Sequence, residues 1–254
     1  MTQATNNQTL TAIVTGASTG IGFAITKRFL SEDINVVMNA RTAADLEAAY
    51  EALGSPANAT FLVGDIANKS VGADLVHAAE SEFGGLDILV NNAGVFGAKP
   101  FLDTEESDID RFYAINFKGA YFTAQAAVPV LQKRGGGAIV NIGTILVEHA
   151  IAGFPASAAV ASKAALHSLT EQLSAEFGGD NIRVSTIATG VIETPLHAKH
   201  GIDDTSGFAS LHLVNRIGKP EDVADAVALL ATNDFISGTT LRVDGGHAAG
   251  HTFG

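Results

Sequence analysis

Short apolar runs recur along this chain, each separated from the next by a longer stretch of helical period. The spacing predicts strands at Thr11–Thr15, Asn35–Asn39, Thr60–Val63, Leu86–Asn91, Ala138–Ile142, Arg183–Ile187 and Thr240–Val243. A strand with one wet face alternates apolar and polar residues, but LDILV and GAIVNI are apolar at nearly every position. Strands of that kind are buried on both faces, as in a parallel sheet covered by helices. The intervening patterns predict helices at about 20–31, 43–53, 70–83, 105–133, 156–178 and 221–232; in the fifth, Leu166, Leu169, Leu173 and Phe177 form one stripe. Repeated strand–helix alternation of this sort implies an α/β fold, a doubly wound parallel sheet of about seven strands with helices on both faces.

Composition removes several alternatives. Hydrophobic residues make up 46% of the 254 and charged residues 17%, enough apolar matter for a sizeable core and the wrong balance for a disordered chain. The formal net charge of −12 repels nucleic-acid phosphates and anionic lipid, so neither is expected as a partner. With no Cys, disulfides, thiolate zinc sites, iron–sulfur clusters and cysteine nucleophiles are excluded. The opening residues lack the basic and apolar regions of a secretory signal, and no run of about 18 apolar residues is present. The expected setting is therefore the cytoplasm, with no membrane. Without a proline-rich or charged linker, residues 1–254 are expected to form one domain, with 1–9 a polar tail and the aperiodic stretch 196–216 a substrate lid.

The first expected strand ends TAIVTG and runs through ASTGIG into a helix. Gly16, Gly20 and Gly22 thus fall in the first strand-to-helix turn, where residues without a Cβ let backbone N–H groups approach a pyrophosphate at the positive end of the helix. After an opening strand and before a helix, this is the placement of a Rossmann-type dinucleotide site.

The turn Thr15-Gly16-Ala17-Ser18-Thr19-Gly20-Ile21-Gly22 resembles that of the short-chain dehydrogenase/reductase family, and the resemblance extends over nearly the whole chain. By that resemblance Gly16, Ser18, Thr19, Gly20, Ile21 and Gly22 bind the cofactor phosphates, and Asp65 with Ile66 meets the adenine. Asn92, Ala93 and Gly94, in the Asn91–Gly94 motif, wall the cofactor pocket, and Asn116 matches the catalytic asparagine. Lys163 in Ser162–Leu166 matches the catalytic lysine that also anchors the ribose; Gly190, Ile192 and Thr194 match the segment holding the nicotinamide carboxamide. Arg216–Ala224 and Val243–Gly246 match C-terminal signatures of the family. The family also implies a small-molecule substrate and a homodimer or homotetramer packed through the helices near 105–133 and 156–178.

The end of the second strand distinguishes the two nicotinamide cofactors, since an acidic residue there accepts hydrogen bonds from the ribose hydroxyls of NAD. Here that position is Ala40, followed by Arg41 and Thr42. A guanidinium pairs with a 2′-phosphate through charge-assisted bonds, so NADP(H) is the expected cofactor.

One residue is missing. In the family a tyrosine four positions before the lysine passes a proton to or from the substrate oxygen, but the motif here reads Ala159-x-x-x-Lys163. The three tyrosines of the chain are Tyr50, Tyr113 and Tyr121, so no shift of register restores it. The usual serine is replaced by Thr144, which keeps a hydroxyl, and the connection from Thr144 to Ala159 is two residues longer than usual. That connection carries Glu148 and His149; an imidazole titrates near neutrality, which makes His149 a candidate substitute donor. The remaining histidines lack the supporting ligands of a zinc site, so no metal is expected. Three readings stay open: a tyrosine-independent NADP(H) oxidoreductase acting on C=O, C=N or quinone substrates; a silent NADP(H) sensor or scaffold; or an enzyme whose natural tyrosine has been replaced by Ala159.

Overall fold

A computed structural model describes residues 9–195 and 205–250. Among these are seven strands: β1 (Thr11–Thr15), β2 (Asn35–Ala40), β3 (Ala59–Val63), β4 (Ile88–Asn91), β5 (Gly137–Ile142), β6 (Ile182–Thr189) and β7 (Thr240–Val243). They form one sheet in the order β3-β2-β1-β4-β5-β6-β7, every neighbour parallel. The helices are α1 (Gly20–Ser31), α2 (Ala43–Ala52), α3 (Lys69–Phe83), α4 (Glu106–Phe112), α5 (Ala120–Arg134), α6 (Ser157–Phe177) and α7 (Pro220–Thr232). This is the Rossmann-type doubly wound sheet that the alternation implied.

The continuous hydrophobicity of the strands now has its explanation. Successive side chains point to opposite faces: Ala12, Val14, Val36, Met38, Ile88, Val90, Val140 and Ile142 enter one apolar core with α1, α2 and α7. Ile13, Val37, Leu89, Ile139 and Val184 enter a second core with α3 and α5. In the stripe on α6, Leu166 and Leu169 are buried against Ala120 and Phe117, with Leu173 half-buried at its edge.

Two expectations need correction. The strand expected from Leu86 begins at Ile88, although the Asp87 main chain still donates to the Thr11 carbonyl and accepts from the Ala138 N–H, each at 2.9 Å; its carboxylate accepts from the Thr11 N–H at 2.8 Å and from Arg134 Nε and Nη2 at 3.0 and 2.9 Å. The helix expected over 105–133 is α4, a π-helical turn at Tyr113–Gly119, and α5, which contains Pro129. The wide turn accommodates a close approach: a Cβ on Gly119 would lie 3.0 Å from both the carbonyl oxygen and the side chain of Ile66. Such insertions are frequent at functional sites, and this one carries Asn116.

Of the stretch 196–216, residues 196–204 lie outside the described residues, with His197 and His200; so do 1–8 and His251. The described remainder contains a 3₁₀ turn at Ser206–Leu211. No described helix is long and apolar enough to cross a membrane.

Candidate active site

The chain leaves β1 toward β2 and β3, then returns to β4 on the opposite side. In open α/β sheets the ligand crevice lies at the carboxyl ends of the strands where the order reverses. Here that point is between β1 and β4, and both loops there are tightly tied. Thr15 Oγ1 accepts from the N–H groups of Asn92 and Ala93, each at 3.0 Å, while Asn92 Nδ2 donates to the carbonyls of Thr15 and Gly16 at 2.9 and 3.1 Å.

Around this clamp the glycines leave room that no side chain could share. Gly16 and Gly20 have φ of +65° and +55°, and a Cβ on Gly16 would lie 2.9 Å from Ala93 Cα. Gly22 has an ordinary conformation, but its Cβ would come within 2.2 Å of the Gly16 carbonyl oxygen. α1 is therefore pressed onto the turn, with its N-terminal N–H groups facing the crevice. Thr19 stands at the N-cap in extended conformation without using its hydroxyl to cap the helix, Ser18 and Ile21 are half-buried, and Thr194 packs on Gly20. The cradle fits a dinucleotide pyrophosphate.

Along the same edge, Arg41 and Thr42 follow β2 and are exposed, and Thr42 begins α2 without a side-chain cap bond. Asp65 accepts from the Ala67 N–H at 3.0 Å, and Ile66 is buried beside it. On the other side, the Gly190 N–H donates to Val243 at 3.0 Å, and Ile192 pairs with Gly218 in an isolated parallel bridge. The family signatures at the C-terminus prove structural: Arg216 forks onto Asp222 at the start of α7, and Asp244 accepts from the N–H groups of Gly246 and Ala248. Arg216 and the Lys219 N–H hold the Asp222 carboxyl below its ordinary range.

The reacting end lies where α6 passes β5 and the β4 turn. Asn116 is buried, bonded through its amide to both main-chain groups of Val95, at 2.8 and 2.9 Å, and to Ser162 Oγ at 2.8 Å. Ser162 Oγ donates in turn to the Ala159 carbonyl at 2.7 Å. Lys163 Nζ donates to the Ile142 carbonyl at 2.6 Å and faces Gly94, whose Cβ would lie 2.9 Å from Nζ and 3.1 Å from Asn116 Oδ1. Burial pushes the Lys163 pKa down to about 8. Thr144, two residues beyond Ile142, is half-buried and accepts from the Leu146 N–H at 3.3 Å. Ala159, one turn before Lys163 on α6, is buried and offers only a methyl.

Asn116, Ser162, Lys163 and Gly94 are thus brought together. Glu148 turns away, its carboxylate bound to Arg242 Nε of β7 at 2.8 Å. His149 packs edge-on against His247, ring centroids 5.4 Å apart, and His247 packs likewise against His212. His212 accepts from the Val191 N–H at Nε2 and contacts the Phe208 carbonyl through Nδ1, at 3.2 and 3.0 Å, steadying the β6 turn. Neither this role of His212 nor that of His167 was legible in the sequence. His167 lies one turn beyond Lys163, with Nε2 buried against Gly143 and its pKa lowered chiefly by burial and further by the Lys163 charge. Also missed was a buried polar chain beneath the site: Asn91 to Asn141 at 2.9 Å, Asn141 to Thr170 at 3.0 Å, and Thr170 to Thr186 at 2.6 Å. An asparagine at or next to the end of each of two otherwise apolar strands was its one sequence signal. No group of three His, Asp or Glu able to hold a metal occurs among the described residues.

Comparison with known proteins decides the family. Residues 16–248 match the family described as Enoyl-(Acyl carrier protein) reductase. The chain is 36% identical over 246 residues to 3beta-hydroxysteroid dehydrogenase 1 of Eggerthella lenta, covering 93% of this chain and 92% of that one. The chain belongs to the short-chain dehydrogenase/reductase family. Against 3-oxoacyl-[acyl-carrier-protein] reductase FabG of Thermotoga maritima the identity is 32% over 238 residues, covering 92% and 96%. Among solved structures, ElxO with NADP bound superposes with a TM-score of 0.87 at 29% identity, covering 96% of this chain and 100% of that one. The class that goes with this short-chain dehydrogenase/reductase membership is an oxidoreductase using a nicotinamide dinucleotide.

Proposed function

We propose that this chain is an NADP(H)-dependent oxidoreductase acting on a C=O or C=N bond, or on a quinone, in a site that works without the family's tyrosine. The single observation that carries the reading is the retention of Asn116 and Lys163, with a hydroxyl kept at Thr144, where the tyrosine position is Ala159. A protein that only sensed the nucleotide has no use for an intact nicotinamide end.

NADP(H) is favoured because the end of β2 offers Ala40 and an exposed Arg41, where a carboxylate would repel the 2′-phosphate. The similarity to ElxO, seen with NADP bound and, in a variant form, with NADPH bound, adds support. Bound in this crevice, the nicotinamide supplies or accepts a hydride. Lys163 anchors the ribose, Asn116 holds the β4 turn through Val95, Thr144 presents a hydroxyl to the substrate, and His149 remains a candidate donor from the far side. Between the β5–α6 connection and the start of α6, an apolar recess of about 270 Å³ is lined by Phe101, Leu146, Ile151, Phe154 and Val160, with Ser157 the one hydroxyl. It suits an uncharged apolar substrate, in keeping with relatives named for steroid and oxoacyl chemistry.

We further propose, from the family resemblance, a homodimer or homotetramer packed through the helices near 105–133 and 156–178, where Ile109 of α4 and Tyr121 of α5 are exposed; sedimentation as a monomer at micromolar concentration would refute it. The functional test is NADPH oxidation with apolar ketones, imines and quinones. Turnover of any of these classes supports the reading. Tight NADPH binding without turnover of any refutes it and favours the silent binder, the alternative that the missing phenol itself raises.

A further inference from the structure

A buried imidazole bridges two stretches of main chain beside the crevice. The Val191 N–H donates to His212 Nε2 at 3.2 Å, and Nδ1 of the same ring lies 3.0 Å from the Phe208 carbonyl oxygen. A ring nitrogen that accepts carries no hydrogen, so the hydrogen of this ring sits on Nδ1 and is donated to Phe208. Only the neutral ring satisfies both partners. We propose that His212, as a neutral imidazole, is a positioning residue: it ties the Ser206–Leu211 turn to the chain after β6 and thereby fixes the nicotinamide half of the bound cofactor, a hold that an added proton releases. The proposal rests on the nicotinamide-dinucleotide reading above and deepens it.

The chain after β6 is otherwise tied to β7 and to Gly218. The Gly190 N–H donates to Val243 at 3.0 Å, the Val191 carbonyl accepts from the Gly218 N–H at 2.9 Å, and the Glu193 N–H donates to the Gly218 carbonyl at 2.8 Å. The Val191 N–H is left to His212. The ring is wedged in place: it is 3% exposed, a Cβ on Gly190 would lie 2.8 Å from Nε2, and one on Gly245 would lie 3.2 Å from the His212 Cβ. Farther along, Thr194 packs on Gly20, in the turn that fits the pyrophosphate. Residues 190–194 therefore run from His212 to the cradle on the β6 side of the crevice, while Arg41 and Asp65 follow β2 and β3 on the other side. With the pyrophosphate at α1 and the 2′-phosphate toward Arg41, the nicotinamide half lies on the β6 side.

Protonation would place a hydrogen on Nε2, head-on to the Val191 N–H, and leave that donor without its acceptor. Among the described residues, five titratable or charged side chains stand on the elements around the ring. On the C-terminal turn are His247, its ring centroid 5.4 Å away, and Asp244, whose carboxylate accepts from the Gly246 and Ala248 N–H groups. On the β5–α6 connection is His149, packed on His247. Glu193, in the chain after β6, is exposed, and Arg216, on the segment of His212 itself, is forked onto Asp222. His247 is the rival titrating ring, and replacing His212 alone separates the two.

The test compares binding of NADP+ with binding of 2′-phospho-ADP-ribose, which keeps the 2′-phosphate and the pyrophosphate and has no nicotinamide. Titration calorimetry is run at about pH 7.5 and about pH 5.5, on either side of the ordinary imidazole pKa. The proteins are wild type, His212→Phe, which keeps a ring and loses the acceptor, and His212→Gln, which keeps an acceptor and cannot take up a proton. At the higher pH, His212→Phe should bind NADP+ about 5–100-fold more weakly and 2′-phospho-ADP-ribose within about threefold of wild type, and His212→Gln should recover most of the loss. The lower pH is about one unit below the ordinary imidazole pKa, so the wild-type preference for NADP+ should shrink by up to about tenfold there. Both ligands carry the 2′-phosphate, so its own titration cancels, and His212→Gln should keep its preference. Nitrogen NMR of wild type should find the imidazole hydrogen of His212 on Nδ1. Equal weakening of both ligands in His212→Phe would overturn the proposal by reducing His212 to packing. So would a hydrogen on Nε2, or a loss on acidification that persists in His212→Gln and so belongs to His247. Wild type that binds neither ligand removes the nicotinamide-dinucleotide reading, and the proposal with it.

Discussion

Gly22→Ala is a severe perturbation of the cofactor cradle, and its size can be worked from distances. Gly22 has no positive φ, so the substitution does not strain the backbone conformation itself. Its added methyl would lie 2.2 Å from the Gly16 carbonyl oxygen and 2.5 Å from Asn92 Nδ2, both parts of the clamp between β1 and β4. Ordinary contact requires about 3.5 Å, so α1 must withdraw by about 1 Å or the clamp must open. Overpacking of this kind costs about 1–3 kcal/mol, and each kcal/mol lowers the melting temperature of a chain this size by about 2–4 °C. The expected fall is about 2–12 °C, with NADPH affinity weakened about tenfold or more because the helix N-terminus no longer faces the phosphates. Gly178→Ala is the control, since nothing lies within 4 Å of its added Cβ and its φ of −59° suits alanine. Differential scanning fluorimetry with and without NADPH reads both effects. A Gly22→Ala protein that melts and binds NADPH like wild type would refute the close approach of α1 to the turn.

Arg41→Ala should weaken NADPH binding by about 10–100-fold, the loss of charge-assisted bonds to one phosphate, and leave NADH binding nearly unchanged; equal weakening of both in titration calorimetry would contradict the proposed 2′-phosphate contact. Lys163 has a folded pKa of about 8 against an ordinary 10.5, so between those values the unfolded chain binds the extra proton and stability rises with pH. Below pH 8 the ammonium is charged in both states and the slope disappears; urea unfolding of the cofactor-free protein should show this rise in wild type and not in Lys163→Met. His212→Phe leaves the Val191 N–H without its acceptor and should cost about 1–3 kcal/mol, measured as a lower melting temperature.

Much of the fold was legible because the physical signals were strong. Strands buried on both faces had to be apolar throughout, and the two cores divide their side chains by alternate residues, as Val36 and Met38 against Val37 illustrate. The glycine turn was equally readable: its spacing reflects contacts that exclude a Cβ. Boundaries set by tertiary bonds were not readable. The hold of Arg134 on Asp87, 47 residues away, leaves no local pattern, and neither does the close approach of Gly119 in the π turn to Ile66.

The site was legible where a motif names a residue and obscure where function comes from packing. Asn116 and Lys163 were found from their motifs, but the bond from Asn116 to Ser162 joins the π turn to α6 across 46 residues and leaves no local pattern. The contact of His149 with His247 joins the β5–α6 connection to the C-terminal turn, a pairing fixed only by the folded sheet.

Deuterium transfer tests the central claim most directly. The enzyme is incubated with NADPH carrying deuterium at the transferable C4 position and with an apolar ketone or imine, and the product is examined by mass spectrometry. The account predicts one deuterium on the carbon that bore the C=O or C=N bond, in wild-type protein that has Ala159 and no tyrosine in its place. NADPH that binds tightly while no substrate in either class acquires deuterium would contradict it.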